Sequence, residues 1–416
     1  MQERKNRLYL FFTATYFAQG MVGIAYEPIF YLLKDKLRLT PSESAIFAAV
    51  MSAPFLLKPV LGLLSDAFPI LRKRRVPYLL GSSLITFFCW AAMAGLNDYS
   101  YAPSLFLLTA VNVGICFADV LCDGVMVENG KERGETGRFQ AAQIGTLYLT
   151  LLATGLGGGW IAQTLSYREI FAITSLFPLI IFGAALLLRD APVPPASYAQ
   201  KSVFIGLGGL LTSARFWTTS LIILLFNFSP FKGTAWFYFQ TDHLGFSKIL
   251  IGTLTSISGI AGVLGAAVFW KYYDRNITIG GKTLRVDTFF LVRTSVIAGI
   301  PLTLLFTAYQ GTATALIITA VTGFFGVVMH LSLMDLSAKV CPKYAEATAF
   351  AVFMSVFNLS AWTSNTLGAH AYESLAGIRG ANQSMIILIL LATCAVAACA
   401  LLLPRLKREL SAGAHA

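Results

Sequence analysis

Two aspartates in a long apolar stretch are the residues of this sequence best suited to carry a proton. Asp119 and Asp123 are four positions apart, so on a helix both lie on one face, where neighbouring carboxylates repel each other. Repulsion and burial both favour the protonated form of a carboxyl group. Lys58 lies at a similar depth in another apolar stretch and is the expected counter-charge, either as a static ion pair or as a partner exchanged for protons or solute.

A second group of side chains is suited to hold a flat solute that bears a carboxylate. Pro230 and Gly233 interrupt an aromatic stretch around Lys232, and broken membrane helices tend to line binding sites. Glu27 is the expected ionic partner of Lys232. Headgroup contact is the alternative for Glu27, and interfacial packing is the alternative for the aromatic rings. The expected substrate-binding residues are Glu27, Lys58, Lys232, Trp236, Tyr238, Asn358 and Trp362.

His330 and Asp335 occupy, in the second half of the chain, the place that Asp119 and Asp123 occupy in the first. A histidine there is able to relay protons, although a histidine on an apolar helix also serves as a packed hydrogen-bonding group. We predict proton coupling through all four residues.

The sequence has no Ser-His-Asp set, metal-ligand spacing or phosphate-binding loop, so we predict neither an enzyme nor an ATP-driven pump, and no cofactor or metal.

The composition indicates that membrane-spanning helices carry these side chains. Hydrophobic residues make up 56% of the 416 residues and charged residues 12%, against roughly 25% charged residues in ordinary soluble proteins. Such a chain cannot cover itself with polar surface, which excludes a soluble multidomain protein. Stretches long enough to cross a bilayer are expected at residues 8–33, 42–66, 76–97, 102–127, 139–165, 169–188, 216–241, 247–270, 286–308, 312–337, 345–371 and 382–403.

The basic residues are distributed unevenly between the two expected membrane faces. Of the 31 lysines and arginines, 22 fall on the face that holds both termini and 6 on the opposite face. Because cytoplasmic loops are enriched in these residues, we predict a multi-pass protein of the cell (inner) membrane with both termini cytoplasmic. The net charge of +11 therefore reflects topology, not nucleic-acid binding. The expected partners are the lipid bilayer, protons and a small-molecule substrate, and the protein is expected to be a monomer.

Repeated patterns divide the chain into two halves of six spans. The segment Gly62–Asp66 closes the second span before a run of basic residues, and Lys271–Arg275 closes the eighth span in a similar way. Such recurrence in corresponding spans indicates internal duplication. We predict an all-α polytopic membrane protein with twelve transmembrane helices in two pseudo-symmetric six-helix bundles, residues 1–188 and 216–416, joined by a cytoplasmic linker with a short helix, residues 189–215.

The loop after the second span resembles the signature loop of the major facilitator superfamily. An acidic residue, Asp66, closes the span and four consecutive basic residues follow it. In that resemblance, the acidic and basic groups hold the two halves together on the cytoplasmic side. The expected gating residues are Gly62, Asp66, Arg72, Arg74, Arg75, Asp274 and Arg275.

Longer blocks resemble the folate–biopterin transporter family, and they occur in the family order across both halves. Among them are Tyr16-Phe-Ala-Gln-Gly20, Ala118-Asp-Val-Leu-Cys-Asp123 and Phe353-Met-Ser-Val-Phe-Asn-Leu-Ser360. The resemblance implies a major facilitator fold and secondary active transport of a folate or pterin by alternating access, with proton movement as the expected drive. The alternatives are a carrier for another bulky solute, such as a muropeptide or siderophore, and a non-transporting membrane receptor or assembly factor.

Overall fold

The computed structural model describes residues 2–39, 47, 50–188, 190, 196–233, 235–236, 239–279 and 282–412. The α-helices, labelled in chain order, are α1 (Gln2–Met21), α2 (Tyr26–Tyr31), α3 (Lys58–Ala67), α4 (Val76–Gly95), α5 (Tyr101–Arg133), α6 (Thr136–Thr164), α7 (Tyr167–Ser175), α8 (Phe177–Leu187), α9 (Ala196–Thr212), α10 (Ala214–Asn227), α11 (Lys248–Tyr272), α12 (Thr288–Leu304), α13 (Thr312–Val340), α14 (Glu346–Arg379) and α15 (Ala381–Ala412). Short 3-10 turns occur at Val22–Ala25, Ala53–Leu57 and Leu305–Ala308, and π-turns at Leu32–Lys36 and Phe239–His243.

Nine helical stretches in the described part of the chain are long and apolar enough to cross a membrane. The pair Lys201–Thr212 and Ala214–Asn227, bent by 67°, raises the number to ten if it forms one broken span. These stretches have the length that a hydrocarbon core requires. They confirm the prediction of an all-α polytopic membrane protein, whereas the number of twelve spans stays a prediction.

The helix ends follow local sequence signals. Ser166 begins α7 with a capping box, in which its hydroxyl accepts from the Glu169 N–H and the Glu169 carboxylate accepts from the Ser166 N–H at 2.8 Å. The Asp287 carboxylate accepts from the Phe290 N–H at 2.8 Å at the start of α12. Gly134 ends α5 with φ 66°, a left-handed conformation that glycine adopts without steric cost. Side-chain caps and glycine therefore satisfy backbone groups that the helix ends leave free.

The chain divides into two compact units. Unit 1 comprises Met1–Gly208 and Cys341–Val352, and unit 2 comprises Gly209–Val340 and Phe353–Ala416. The first turns of α14 thus belong to unit 1 and the rest of that helix to unit 2. Residues 191–195, in the expected linker, lie outside the described residues. The predicted domain boundaries stay predictions.

Unit 1 packs its long helices around aromatic side chains. Helix α4 contacts α5, α7 and α8, while α1 contacts α6 and α8. The fully buried rings of Trp90 and Phe171 lie 5.6 Å apart between α4 and α7. Phe12 of α1 and Phe139 of α6 are also fully buried, with ring centroids 5.0 Å apart. Contacts of this kind hold α1 beside α6.

Unit 2 repeats several of these helix pairings. Helix α11 contacts α13, α12 contacts α13 and α15, and α10 contacts α13 and α15. The same pattern occurs in unit 1, where α3 contacts α5, α4 contacts α5 and α8, and α1 contacts α5 and α8. Such recurrence is the arrangement expected of an internal repeat.

A two-stranded hairpin follows α11 and was not expected from the sequence. Strands β1 (Asn276–Ile279) and β2 (Lys282–Arg285) pair antiparallel, with Asn276 opposite Arg285. At its base, Asp274 Oδ1 lies 3.0 Å from Arg285 Nη2. Asp274, which we expected to be a gating residue, therefore forms an ion pair within the hairpin.

Candidate functional site

Unit 1 contains a half-buried ion pair between α3 and α5. Lys58 Nζ donates to Asp119 Oδ2 at 2.7 Å, and the two side chains are 12% and 15% exposed. A single charge inside a membrane helix costs at least about 2.5–3.5 kcal/mol. The ion pair lowers this cost because each side chain compensates the charge of the other. Gln19 of α1 lies beside Asp119. When the side-chain amide of Gln19 is turned so that its nitrogen faces the carboxylate, that nitrogen donates to Asp119 Oδ1 at 3.2 Å.

Asp123 lies one turn further along α5 and has a different environment. Its side chain is 4% exposed, and Tyr16 of α1 donates to its Oδ1 at 2.9 Å. Tyr16 and Gln19 both contact the acidic pair, yet we did not single them out from the sequence. The available signal was a tyrosine and a glutamine three positions apart in an apolar stretch, a spacing that places both on one helix face.

A second charged cluster lies where α3, α4 and α5 meet the start of α14 within unit 1. Arg75 Nη2 lies 2.7 Å from Asp66 Oδ1 and 2.5 Å from Glu128 Oε1. Arg74 Nη2 lies 2.7 Å from the same Glu128 oxygen, and Arg74 Nη1 lies 3.4 Å from Glu346 Oε2. We call these five residues the charge clamp. Its three carboxylates are close enough to hold a cation, but the two guanidinium groups already lie among them.

Burial and charge act in opposite directions on Arg75. Burial lowers the pKa of its guanidinium, but the carboxylates of Asp66, Glu128 and Glu346 outweigh burial and raise that pKa above its usual value. Arg75 is 1% exposed and Asp66 is 0% exposed. A buried ion pair of this kind is strongly destabilised when one partner is removed, because the other charge is left without compensation.

Two glycines allow the start of α14 to approach this cluster. A Cβ on Gly62 of α3 would lie 2.8 Å from the Thr348 Cα, and a Cβ on Gly124 of α5 would lie 2.9 Å from the Ala347 Cβ. Any larger residue at either position would push the backbone of α14 away. Gly62 was expected among the gating residues on the resemblance alone, and the close approach gives it a physical role.

The other expected gating residues are not part of the charge clamp. Arg72 is exposed, in a turn where its φ is 60°. In unit 2, Asp274 and Arg275 are at the base of the hairpin, where Asp274 pairs with the 66% exposed Arg285. The structure thus groups Asp66, Arg74 and Arg75 but leaves the remaining expected gating residues outside that group.

Unit 2 contains a cavity of about 370 Å³. This volume lies in the range of small-molecule sites. The broken segment after α10 and the helices α12, α13 and α14 supply its walls. The polar lining residues are Asn227, Ser229, Lys232, Thr303, Thr322, His330, Ser364 and Asn365. Apolar lining is supplied mainly by Phe226, Leu302, Phe306, Met329 and Val396. The wall thus combines apolar surface with polar groups that can orient a ligand, as small-molecule sites do.

The break that we predicted around Lys232 shapes this cavity. Helix α10 ends at Asn227, and Gly233 adopts φ 74°. A Cβ on Gly233 would lie 2.3 Å from Asn365 Oδ1, and a Cβ on Gly368 would lie 1.8 Å from the Pro230 carbonyl oxygen. Only glycine at both positions lets the broken segment lie this close to α14. The break therefore positions Lys232 at the cavity wall.

Lys232 is a cation that lines the cavity and lies beside two aromatic rings. Its Nζ lies 5.7 Å from the ring centroids of both Phe231 and Phe306. In the described part of the chain, no carboxylate lies within 4.0 Å of this nitrogen, whereas Lys58 pairs with Asp119. Cation–π contacts contribute about 0.5–2 kcal/mol each, and they leave the positive charge of Lys232 available to an anionic group.

The other expected substrate-binding residues have varied places. Trp236 packs in an aromatic group with Phe231, Phe306 and Tyr309, the last at 4.6 Å between ring centroids. Asn358 is half-buried and Trp362 is 66% exposed, and neither is among the described residues that line the cavity. Tyr238 and the side chain of Glu27 lie outside the described residues.

His330 and Asp335 on α13 have separate environments. His330 lines the cavity and packs against Phe357, with ring centroids 5.1 Å apart. Asp335 is fully buried, accepts from Tyr273 at 2.8 Å, and lies 3.3 Å from Lys339. Thr288 donates to its second oxygen at 2.5 Å. The carboxylate of Asp335 is thus held by donors from α12, α13 and the residue that follows α11.

Comparisons with known proteins match most of the chain. A model of the BT1 family matches residues 19–409. The folate-biopterin transporter of Synechocystis sp. is 29% identical over 85% of this chain and 72% of its own length. Folate transporter 2 of Plasmodium falciparum is 28% identical over 83% of this chain and 76% of its own length. Probable folate-biopterin transporter 4 of Arabidopsis thaliana is 24% identical over 88% of each chain.

Proposed function

This chain belongs to the BT1 family, and from that premise we propose that it transports a folate or a pterin across a membrane. The relatives that match it are named as transporters of folate or biopterin. The observation that supports this substrate class best is Lys232, a cation without a carboxylate partner among the described residues that line its cavity. The carboxylate tail of a folate supplies the missing charge.

The cavity in unit 2 fits such a solute in chemistry as well as in charge. Its rings, such as Phe226 and Phe306, offer flat apolar contacts to a bicyclic ring system. His330 and Asn365 offer hydrogen bonds to ring nitrogens and to a carbonyl oxygen. In this proposal Lys232 holds the carboxylate, and the neighbouring aromatic group around Trp236 keeps the Lys232 segment rigid.

The transport cycle that we propose is alternating access in a major facilitator fold of twelve spans, in which two six-helix bundles move relative to each other. The charge clamp holds residues 341–352 in unit 1. Arg74 contacts Glu346, and Asp66 contacts Thr348. Release of this segment is the gating step. The protein acts as a monomer in the cell (inner) membrane, with both termini cytoplasmic, and the distribution of basic residues supports this orientation.

Proton movement drives the cycle in this proposal, and the acidic pair of unit 1 carries the proton. Asp119 and Asp123 face a single lysine, Lys58, which leaves one surplus negative charge for a proton to neutralise. A solute anion that attracts Lys58 weakens its contact with Asp119 and so favours proton uptake. Asp335 is assigned a structural role, since three donor groups, from Tyr273, Thr288 and Lys339, already surround it in unit 2.

Binding to the purified protein tests the substrate class. We expect folates and pterins to raise the unfolding temperature in a concentration-dependent way, since a ligand that binds only the folded state stabilises it. Muropeptides and siderophores serve as comparison ligands of similar bulk. Stabilisation by a comparison ligand with none by folates or pterins would show that the substrate class is wrong.

A further inference from the structure

Helix α6 carries two fully buried amide side chains, and three of their four polar atoms have no hydrogen-bond partner among the described residues. Gln140 and Gln143 are both 0% exposed. Within the described part of the chain, neither polar atom of the Gln140 side chain has a hydrogen-bond partner, and Gln143 Oε1 has none either. A buried polar atom without a partner costs about 1–3 kcal/mol. Water molecules are the usual partners of such atoms, with two to four hydrogen bonds each.

Both amides lie in the first three turns of α6. Gln140 and Gln143 are three positions apart, so their side chains lie on one face of the helix. Gln143 Nε2 donates to Cys122 Sγ at 3.5 Å, which places it beside the residue that precedes Asp123. Glu135 precedes α6. Its Oε1 pairs with Lys5 at 2.5 Å, while its buried Oε2 has no partner in the described part of the chain.

We propose that bound water along Glu135, Gln140 and Gln143 forms a proton path between Asp123 and the start of α6, which our topology places at the cytoplasm. This inference rests on the proposed function. A proton that enters at Glu135 passes from water to water, each water gaining one O–H bond and losing another, and ends on an oxygen of Asp123.

The groups around Asp123 are consistent with a proton terminus. Tyr16 faces Asp123 from α1, Lys58 faces this region from α3, and Asp119 lies one turn away on the same helix. Lys58 is already paired with Asp119. The two glutamines are fully buried in unit 1, whereas the residues that line the cavity belong to unit 2. The path and the cavity therefore share no residue, and each can be changed by substitution without altering the other's residues.

Transport by the variants Gln140→Leu and Gln143→Leu tests the path. Each leucine removes the amide and keeps a similar volume. In proteoliposomes, we expect uptake driven by a pH gradient to fall at least about tenfold, because each leucine removes an amide that holds the proton-carrying water. Counterflow of folate, which needs no net proton movement, should stay within about twofold. Thr174→Val is the matched control, since Thr174 is fully buried in unit 1 but donates to the Ile170 carbonyl at 2.7 Å.

A parallel fall in both assays, or no fall in either, would overturn the path. If the wild-type protein exchanges neither folate nor pterin, the proposed function fails instead. X-ray radiolysis of the wild-type protein in water labelled with oxygen-18 gives a second measurement that does not depend on insertion of a leucine variant. We expect Cys122 to be oxidised several times faster than Cys399, which is equally buried at 0% exposure but lies in unit 2. Equal rates would mean that no water lies beside Gln143, and the proposal would be rejected.

Discussion

Asp66, at the end of α3, caps the start of α14 although the two are 282 positions apart. Its Oδ2 accepts from the Thr348 N–H at 2.9 Å and from the Thr348 hydroxyl at 2.8 Å. The N–H groups of the first helical turn have no partner inside their own helix, and the positive end of the helix dipole favours a carboxylate there. The other oxygen of Asp66 pairs with Arg75 at 2.7 Å. The side chain of Asp66 therefore contacts both Arg75 and the first turn of α14.

The variant Asp66→Asn is expected to slow transport. Asn removes the charge that compensates Arg75, and breaking a buried ion pair costs about 3–5 kcal/mol. The state in which α14 contacts unit 1 therefore loses stability, and initial uptake rates should fall at least about tenfold. The matched control is Asp274→Asn, whose partner Arg285 is 66% exposed. Because surface pairs contribute about 0–1 kcal/mol, that variant should keep its rate within about twofold. Equal rates in the two variants, at equal amounts of inserted protein, would argue against the clamp.

The variant Gly62→Ala is expected to lower the unfolding temperature. The new Cβ would lie 2.8 Å from the Thr348 Cα, and such overpacking costs about 1–3 kcal/mol. Gly81→Ala on α4 is the control, because a Cβ there meets nothing within 4 Å and alanine favours a helix by about 1 kcal/mol over glycine. Thermal unfolding in detergent measures both. A Gly62→Ala protein as stable as Gly81→Ala would mean that α14 does not approach α3 as described.

The sequence predicts those features that depend on local pattern. Apolar stretches predict the helices, and Pro230 with Gly233 predicts the break beside Lys232. The pairing of Lys58 with Asp119 could be expected because a charge inside a membrane helix requires compensation. The hairpin also had a local signal that we passed over, since Gly280-Gly281 stands between two short β-branched runs.

Contacts between distant segments could not be predicted in the same way. Nothing in the spacing of residues relates Thr348 to Asp66, because their contact depends on how α14 packs against α3. The same holds for Tyr16 beside Asp123, where the polarity of Tyr16 indicates a need for a partner but not which one. A single sequence shows which charged and polar side chains need a partner. Which residue becomes that partner depends on how the helices pack.

Labelling of introduced cysteines tests the orientation in the membrane. Asp98 and Glu132 are both exposed and lie in loops or helix ends on opposite expected faces. With the exposed Cys394 changed to Ser, a cysteine at Asp98 should react with an impermeant maleimide in intact cells. A cysteine at Glu132 should react only after the membrane is opened, since the excess of basic residues places it inside. The reverse pattern would overturn the orientation.

The variants Asp119→Asn and Asp123→Asn test the coupling. Asn cannot gain or lose the proton, so accumulation driven by a pH gradient should fall at least about tenfold. Counterflow should stay within about twofold, because exchange needs no net proton movement. Both assays use the same vesicles, which controls for the amount of active protein. Full gradient-driven accumulation in both variants would mean that these carboxylates are structural.

The measurement that tests the central claim most directly is the KM for two solutes in proteoliposomes of wild-type and Lys232→Met protein. Folate carries a carboxylate tail and biopterin does not. A hydrogen bond to a charged group contributes about 1.5–3 kcal/mol, so the KM for folate should rise roughly 10–100-fold. The KM for biopterin should change less than about twofold. Arg293→Met, which removes an exposed cation on α12 that does not line the cavity, should change neither value. An unchanged KM for folate in Lys232→Met, or wild-type vesicles that transport neither solute, would contradict the account.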